Sequence, residues 1–508
     1  MQASSRVALN TIAQYTRTII NIVLSLITVR IVLRTLGVDD FGIYTLVAGV
    51  VSMLTFVTGA LATTTQRYIS YFQGVKNLHR LKAVFANSFL IHIGLGLAVF
   101  VILAAFTPLL FNGFLNIPVE RNMAARSVYF CVILIVFLTF VSSPFKALCI
   151  AHENIVFTSI IEVLDGVVKL FLVATMTFMP WDKLIYYGIS LLVVQILNFI
   201  IFFIYCSKRY EECVWPKISY YNGEYVKEMM SFAGWNVYST GCWAGRQQGV
   251  AIVLNKMMST AVNAAYGVGF QIASYTNFLA NAIAAAIQPQ IVRNEGAGDR
   301  GHAMWLTFTS CKFSFFLTAM VVIPCMFEID SLLKLWLGDV PNYTALFCVM
   351  ALLSSLFNAL TSSLGHINQA VGNIKMYSII TNTPKLLTIP LAWVILYVEM
   401  NVVWIVVIYV VIEFICSWIR IPYIHKTTSL NIFEFVKSVI VPEIIPTFIC
   451  VLTCFLCCRV FDFKYDFIAT FLLSFFVYAV AIYKLGLSLR EKEILNNIVK
   501  RIGAKTLQ

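Results

Sequence analysis

The sequence predicts an all-α polytopic membrane protein of about 14 transmembrane helices: two six-helix bundles in parallel repeat, then two more helices. Three observations predict it. The first is composition. Of 508 residues, 60% are hydrophobic and 12% charged, where an average soluble chain carries about 25% charge. No soluble core hides that much apolar surface, so the solvent is a bilayer. The second is the recurrence of apolar windows of about 20 residues, the length that crosses the hydrocarbon as a helix. The third is a phrase written twice. "AHENIVFTSII" (151–161) and "AVGNIKMYSII" (370–380) share six of eleven positions in the same register.

The expected spans are 8–33, 43–64, 84–111, 127–148, 155–179, 184–206, 229–255, 264–288, 304–327, 343–365, 376–398, 401–420, 436–458 and 466–486. With the N-terminus inside, about 22 Lys and Arg fall on the cytoplasmic side and about nine outside, the positive-inside bias. Both termini are therefore expected in the cytoplasm. The formal charge of +12 is then mostly topological and does not argue for nucleic acid. The start "MQASSRVALNTIAQ" has one early Arg6 and no small-residue cleavage site, so the first segment reads as a retained helix. The 13 cysteines lie mostly in apolar runs, and the cluster Cys454, Cys457, Cys458 reads as small apolar packing, not a metal site.

The twin phrases open the fifth and eleventh spans, six helices apart. An even separation means entry from the same side, which is a parallel repeat about an axis along the membrane normal. "DDFGIYTLVAGV" and "NAAYGVGFQIAS" form a weaker second pair in the same order. The expected organisation is a first bundle over 1–206, a cytoplasmic linker over 207–228 and a second bundle over 229–421. Two additional helices over 422–486 and an amphipathic cytoplasmic tail over 487–508 complete it. Two similar bundles in one chain point to a transporter in which one half rocks against the other.

The run "LGVDDFGIYTLVAGVVSML", the "TTTQRYIS" ending the second span, and the Asn154 and Asn373 phrases resemble the Wzx-type polysaccharide flippases. That family shares a superfamily with the MATE exporters and the lipid II flippases. The resemblance implies 12 to 14 helices around a central cavity. It also implies movement of an undecaprenyl-pyrophosphate-linked oligosaccharide across a bacterial cytoplasmic (inner) membrane, for surface polysaccharides such as the O-antigen of lipopolysaccharide. The implied partners are the lipid-linked oligosaccharide, membrane lipids, a coupling ion (proton or sodium) and polysaccharide polymerases, with no cofactor.

A charge at the bilayer centre costs at least about 2.5–3.5 kcal/mol, so it faces a cavity or a partner. The cations inside spans are Arg17, Lys169, Arg246, Lys312 and Lys385; the anions are Glu162, Asp165 and Glu413. Arg17 and Arg246 sit in the first helix of each bundle. Arginine suits phosphate because its planar fork donates two hydrogen bonds at once. All five cations are candidate cavity residues, with Arg246 the foremost. Glu162, Asp165 and Lys169 stand at i, i+3 and i+7, one face of a helix. Asp165 and Lys169 are spaced to neutralise each other. The three anions are the candidate ion-coupling groups. In the repeat, Thr381 takes the place of Glu162 and Pro384 that of Asp165, so the two bundles are expected to differ in role.

Five cations against three anions leave two positive charges, which favours an anionic head group over the runner-up reading, a MATE-like cation-coupled exporter of cationic drugs. A membrane polymerase or ligase would need a sizeable outside loop with catalytic groups, and the outside loops are short. No phosphate-binding glycine loop is present, so the chain reads as no enzyme and no ATPase.

Overall fold

An apolar chain in lipid must satisfy its backbone internally, and a helix does so within one segment. The structure, a computed structural model, describes residues 3–52, 55–111, 117–258, 260–337, 340–428, 430–460 and 466–493. The described part of every expected span is helical, and no strand occurs among the described residues. Most of the expected tail, 494–508, lies outside them.

Two compact units emerge, Leu9–Val237 and the chain from Tyr238 onward. The first holds α1 (Ala3–Ser52, from Leu9), α2 (Thr55–Val75), α3 (Leu78–Leu109), α4 (Asn122–Ala151), α5 (Ile155–Thr175) and α6 (Lys183–Arg209). α7 (Gly223–Met257) leads into the second. There follow α8 (Thr260–Gly296), α9 (Arg300–Phe327), α10 (Ile329–Leu337), α11 (Thr344–Thr361) and α12 (Leu364–Val371). Next come α13 (Ile374–Leu386), α14 (Thr388–Tyr397), α15 (Val403–Trp418) and α16 (Arg420–Thr428). α17 (Ile432–Phe435), α18 (Val441–Val460) and α19 (Asp466–Ala481) complete the order.

Ten segments among the described residues are long and apolar enough to cross a membrane. Of the other four expected spans, 155–179, 229–255 and 264–288 are helical but do not reach that mark, and 43–64 runs across residues 53–54, which lie outside the described residues. A count of fourteen is therefore not reached on length and apolarity alone. For α5 and α7 the reason is chemical: α5 carries Glu162, Asp165 and Lys169, and α7 carries Arg246, Gln247 and Gln248.

Breaks fall where the sequence provides for them. Gly37 interrupts α1 at φ 80°, ψ 173°, a backbone state that a side chain strains. The eleventh expected span divides into α13 and α14 just after Pro384, whose missing N–H weakens the ladder there. The twin phrases have the same local backbone. Glu153 and Gly372 are both left-handed, at φ 58° and 94°. Asn154 and Asn373 follow as N-caps at φ −91° and −90°. The repeat thus writes one structural instruction twice: end a helix in the left-handed state, then start the next.

Each unit has its own core. In the first, Val128, Tyr129, Ile133 and Phe140 of α4 pack with Leu103 of α3 and Leu184 of α6, and Tyr129 Oη donates to the Leu103 carbonyl at 2.9 Å. In the second, Tyr266, Phe347, Met350 and Tyr409 join α8, α11 and α15. Membrane helices gain little from burying apolar surface against one another, so small residues that allow close approach matter more. A Cβ on Gly269 of α8 would lie 2.8 Å from the backbone oxygen of Phe347 in α11. α18 and α19 close on α9 through Phe316, Cys450, Cys454 and Tyr478.

Candidate functional site: a buried cationic cavity in the second unit

Five helices of the second unit, α7, α8, α11, α13 and α15, line a partly open cavity of about 120 Å³. Trp243, Arg246 and Gln247 reach it from α7, at the i, i+3, i+4 spacing that shares one face. Tyr409 and Glu413, four apart on α15, do the same. Lys385 comes from the last turn of α13; Ser354, Ser355 and Asn358 come from α11.

The charges are organised around one carboxylate. Glu413 Oε2 accepts from Arg246 Nη2 at 2.7 Å, and its Oε1 accepts from Lys385 Nζ at 2.8 Å. All three are almost fully buried, at 3%, 2% and 5% exposure, so neither solvent nor salt screens them. The Arg246 guanidinium lies 4.0 Å from the centre of the Tyr409 ring, a cation–π contact worth about 2 kcal/mol when desolvated. Arg420 adds a third cation. It donates to Asn358 Oδ1 at 2.8 Å and to Thr361 Oγ1 at 3.3 Å. Three cations against one carboxylate leave a surplus of two positive charges.

The orphan donors decide what this cluster can do. Arg246 Nε and Nη1 are buried with no hydrogen-bond partner, as are Ser354 Oγ and Arg420 Nε. Buried polar groups are nearly always paired, so unpaired atoms on Arg246 and Ser354, two residues that line the cavity, need an explanation. Nε and Nη1 lie on opposite sides of the guanidinium, so each can give a separate charge-assisted hydrogen bond to an anion beside the Nη2 that Glu413 holds.

The first unit places its charges differently. Arg17 Nη1 of α1 meets Glu162 Oε2 of α5 at 2.7 Å, and Lys146 Nζ of α4 lies 3.8 Å from Glu162 Oε1. Asp165 and Lys169 pair with each other at 2.7 Å, as their spacing suggests. These side chains are 20–39% exposed, unlike the cluster of the second unit. Lys312 belongs to neither group: its Nζ is 2.5 Å from Glu491 Oε2, and both are buried. The structure thus brings together Arg246, Lys385 and Glu413, brings together Arg17 and Glu162, and sets Lys312 apart.

Sequence reasoning missed Arg420, Lys146 and Tyr409. Arg420 and Lys146 were counted with the cytoplasmic loop charges. A signal was available for two of them: Tyr409, Glu413 and Arg420 stand at i, i+4 and i+11, close to one face of a helix with 3.6 residues per turn.

At the family level the sequence is decisive. A polysaccharide biosynthesis protein model matches residues 7–295. The chain belongs to this family, that of the Wzx-type flippases. No curated protein matches the sequence. Among solved structures, a MATE transporter in the straight conformation is similar at 12% identity and TM-score 0.70. The match covers 84% of this chain and 97% of that one. The MATE transporter ClbM in complex with Rb⁺ is 14% identical with TM-score 0.70, covering 86% and 98%. A MOP superfamily transporter from Pyrococcus furiosus, described by the reverse polarity of its binding pocket, is 11% identical with TM-score 0.68, covering 84% and 96%. At these identities the likeness shows the fold alone. The family member described here is an all-α, multi-pass membrane transporter with a MATE-like fold.

Proposed function

We propose that the protein flips an undecaprenyl-pyrophosphate-linked oligosaccharide repeat unit across the bacterial cytoplasmic membrane, by alternating access of its two bundles, for surface polysaccharide synthesis. One observation carries the substrate class: Arg246, two of whose guanidinium nitrogens are unpartnered, lines with Lys385 a cavity that holds one carboxylate, and Arg420, bonded to the lining Asn358, adds a further cation. A pyrophosphate diester carries two negative charges. Leaving water costs it hydration, and buried cationic donors replace part of that with charge-assisted hydrogen bonds.

Glu413 gives the cavity a way to release what it holds. It occupies Arg246 Nη2 and Lys385 Nζ whenever substrate is absent. Phosphate oxygens that take Nε and Nη1 compete with a resident carboxylate for the remaining charge. The site therefore never presents bare cations, and departure restores two ion pairs. Arg17 and Lys146, gathered around Glu162, supply a similar arrangement in the first bundle. Glu413 has both oxygens committed to cations. Ion coupling, by proton or sodium, accordingly falls first to Glu162 and Asp165, which remain partly exposed. The bundle boundaries follow the two repeats, 1–206 and 229–421, with the linker between them.

The alternative is a MATE-like cation-coupled exporter. The fold suits it, but the surplus of buried cations does not. Reconstituted vesicles separate the two. Fluorescent lipid-linked oligosaccharide should be flipped with and without a proton gradient imposed, at rates that differ if the proton couples, and a cationic dye should not be moved. Dye transport without lipid flipping would overturn the proposal.

A further inference from the structure

The segments that follow the second bundle, α18 and α19, pack on α9 and enclose a group of charges that the cavity does not use. Lys312 of α9 pairs with Glu491 at 2.5 Å. The same Glu491 oxygen accepts from the backbone N–H and the hydroxyl of Ser488, both at 2.8 Å. Ser488 Oγ in turn accepts from Glu491 N at 3.4 Å. This reciprocal pair is a capping box, which starts a helix at that point. Leu487 is buried against Phe316 and Tyr478. The Arg490 guanidinium sits 4.3 Å over the Trp305 ring of α9. The stretch 487–491 is thus held on α9 by an apolar anchor, a stacked arginine and one buried ion pair.

Beside it stands Glu443, in the first turn of α18. It is 3% exposed, and neither of its carboxylate oxygens has a hydrogen-bond partner. The groups that face it are Lys312 and Cys311 from α9 and Tyr478 from α19; Lys484 in the turn after α19 is exposed. One lysine against two glutamates leaves the group short of one positive charge. Lys312 is already engaged by Glu491. An unpartnered buried carboxylate is far more costly than the neutral acid. A metal ion would need several oxygen ligands, and no grouping of three metal-binding side chains occurs among the described residues. A proton fits the vacancy.

We propose that Glu443 is a proton-binding site of the C-terminal helices, and that loss of its proton draws Lys312 off Glu491 and releases the stretch after Leu487 from α9. In the protonated state Glu443 is neutral and Lys312 is free to hold Glu491. When the proton leaves to water, Glu443 becomes a buried carboxylate beside an ammonium, and the two glutamates compete for one lysine. Lys312 keeps its charge throughout; only the carboxyl O–H bond breaks. Undocking exposes Glu491 to solvent, where its charge is hydrated.

Two measurements on the full chain in lipid nanodiscs test this. Infrared difference spectra report the C=O stretch of a protonated carboxyl, and hydrogen–deuterium exchange reports docking of 484–493 against an unstructured reference peptide at each pH. Wild type should lose a carboxyl band as pH rises and, over the same range, exchange 484–493 about tenfold faster. Glu443→Gln should lack that band and keep the segment protected throughout. Lys312→Met should exchange fast at every pH. If the glutamine variant does not fold, Glu443→Asp should shift the midpoint of both signals; an unmoved midpoint would count against the site. The proposal is overturned by a band that survives in Glu443→Gln, or by unchanged pH dependence of exchange in that variant. A band that answers to sodium at fixed pH, and not to pH, would also overturn it and assign the site to a metal cation.

Discussion

Arg246→Ala is the sharpest perturbation the structure offers. It removes a guanidinium whose Nη2 serves Glu413 and whose Nε and Nη1 are unpartnered. Glu413 still keeps Lys385 at 2.8 Å. The buried carboxylate is therefore not orphaned, and the folding cost stays below the about 3–5 kcal/mol seen when a buried ion pair loses its only partner. The functional cost is larger. Each charge-assisted hydrogen bond from Nε or Nη1 to phosphate is worth about 1.5–3 kcal/mol. Two of them at the low end make about 3 kcal/mol, roughly a hundredfold in rate. Arg246→Lys keeps the charge and one donor at best, so about half of that is lost, roughly tenfold. The assay is export of surface polysaccharide in a flippase-deficient strain, with the membrane abundance of each variant measured alongside. Full complementation by Arg246→Ala at normal abundance would refute the reasoning and move the phosphate contact to Lys385 and Arg420.

The other predictions test packing, coupling and the Glu212 ion pair. Gly269→Ala should lower thermal stability by about 1–3 kcal/mol, because its methyl meets the backbone of Phe347 and that helix pair must part. Gly267→Ala, which meets nothing within 4 Å, is the control and should be neutral or slightly stabilising. Asp165→Asn and Glu162→Gln should change the pH dependence of flipping while insertion stays normal. A wild-type profile in both would leave those charges as structural pairs. Glu212 in the linker pairs with His152 Nε2 at 2.5 Å. Burial raises the Glu212 carboxyl, but the hydrogen bond and charge of His152 outweigh it and hold the group below its ordinary value of 4.5. Its folded value is depressed, so its contribution is whole above about 4.5 and fades as pH falls through the folded value. The melting difference between wild type and Glu212→Gln should therefore hold on the mildly acid side of neutrality and shrink below that pH; a difference that grows with acid would contradict it.

Much of this architecture was legible because lipid imposes few solutions. Apolar windows had to be helices, and the described part of each is one. The twin phrases were legible for a reason the sequence alone did not display: positions 153 and 372 share a left-handed backbone, and Asn154 and Asn373 share the cap that follows. Pairings within one helix, such as Asp165 with Lys169, follow from spacing. Pairings between helices do not. Nothing in the sequence says that Glu162 turns to Arg17 and Lys146, 145 and 16 residues away. Nor does it say that Glu413 closes on both Arg246 and Lys385. Lys312 looked like a cavity cation because its span is polytopic and apolar; its partner, Glu491, lies beyond the last span, where a tail was expected. Arg420 was hidden by its place at a helix end, where a loop charge and a buried one look alike in sequence.

The two bundles hold the same three residue types, arginine, glutamate and lysine, but take the carboxylate from different places. In the first, Glu162 comes from α5, the helix that opens on the twin phrase. In the second, the equivalent position is Thr381, whose hydroxyl donates to its own helix at the Tyr377 carbonyl. The carboxylate comes instead from Glu413 on α15. That change of helix also changes the medium. The Glu162 cluster is partly exposed, where two unit charges 4 Å apart interact by about 1 kcal/mol in bulk water; in surroundings of effective dielectric 20 the same pair is worth about 4 kcal/mol. A buried surplus of cations therefore attracts an anion several times more strongly than an exposed one, and it needs a stronger internal competitor to let the anion go. Glu413, almost fully buried between two cations, is such a competitor, whereas Glu162, also between two cations, is partly exposed. The asymmetry that Thr381 and Pro384 announce in the repeat thus divides labour between the bundles. In the proposed function, the second bundle would grip the charge, and the first, whose charges are partly exposed, would be where protonation or an ion changes it.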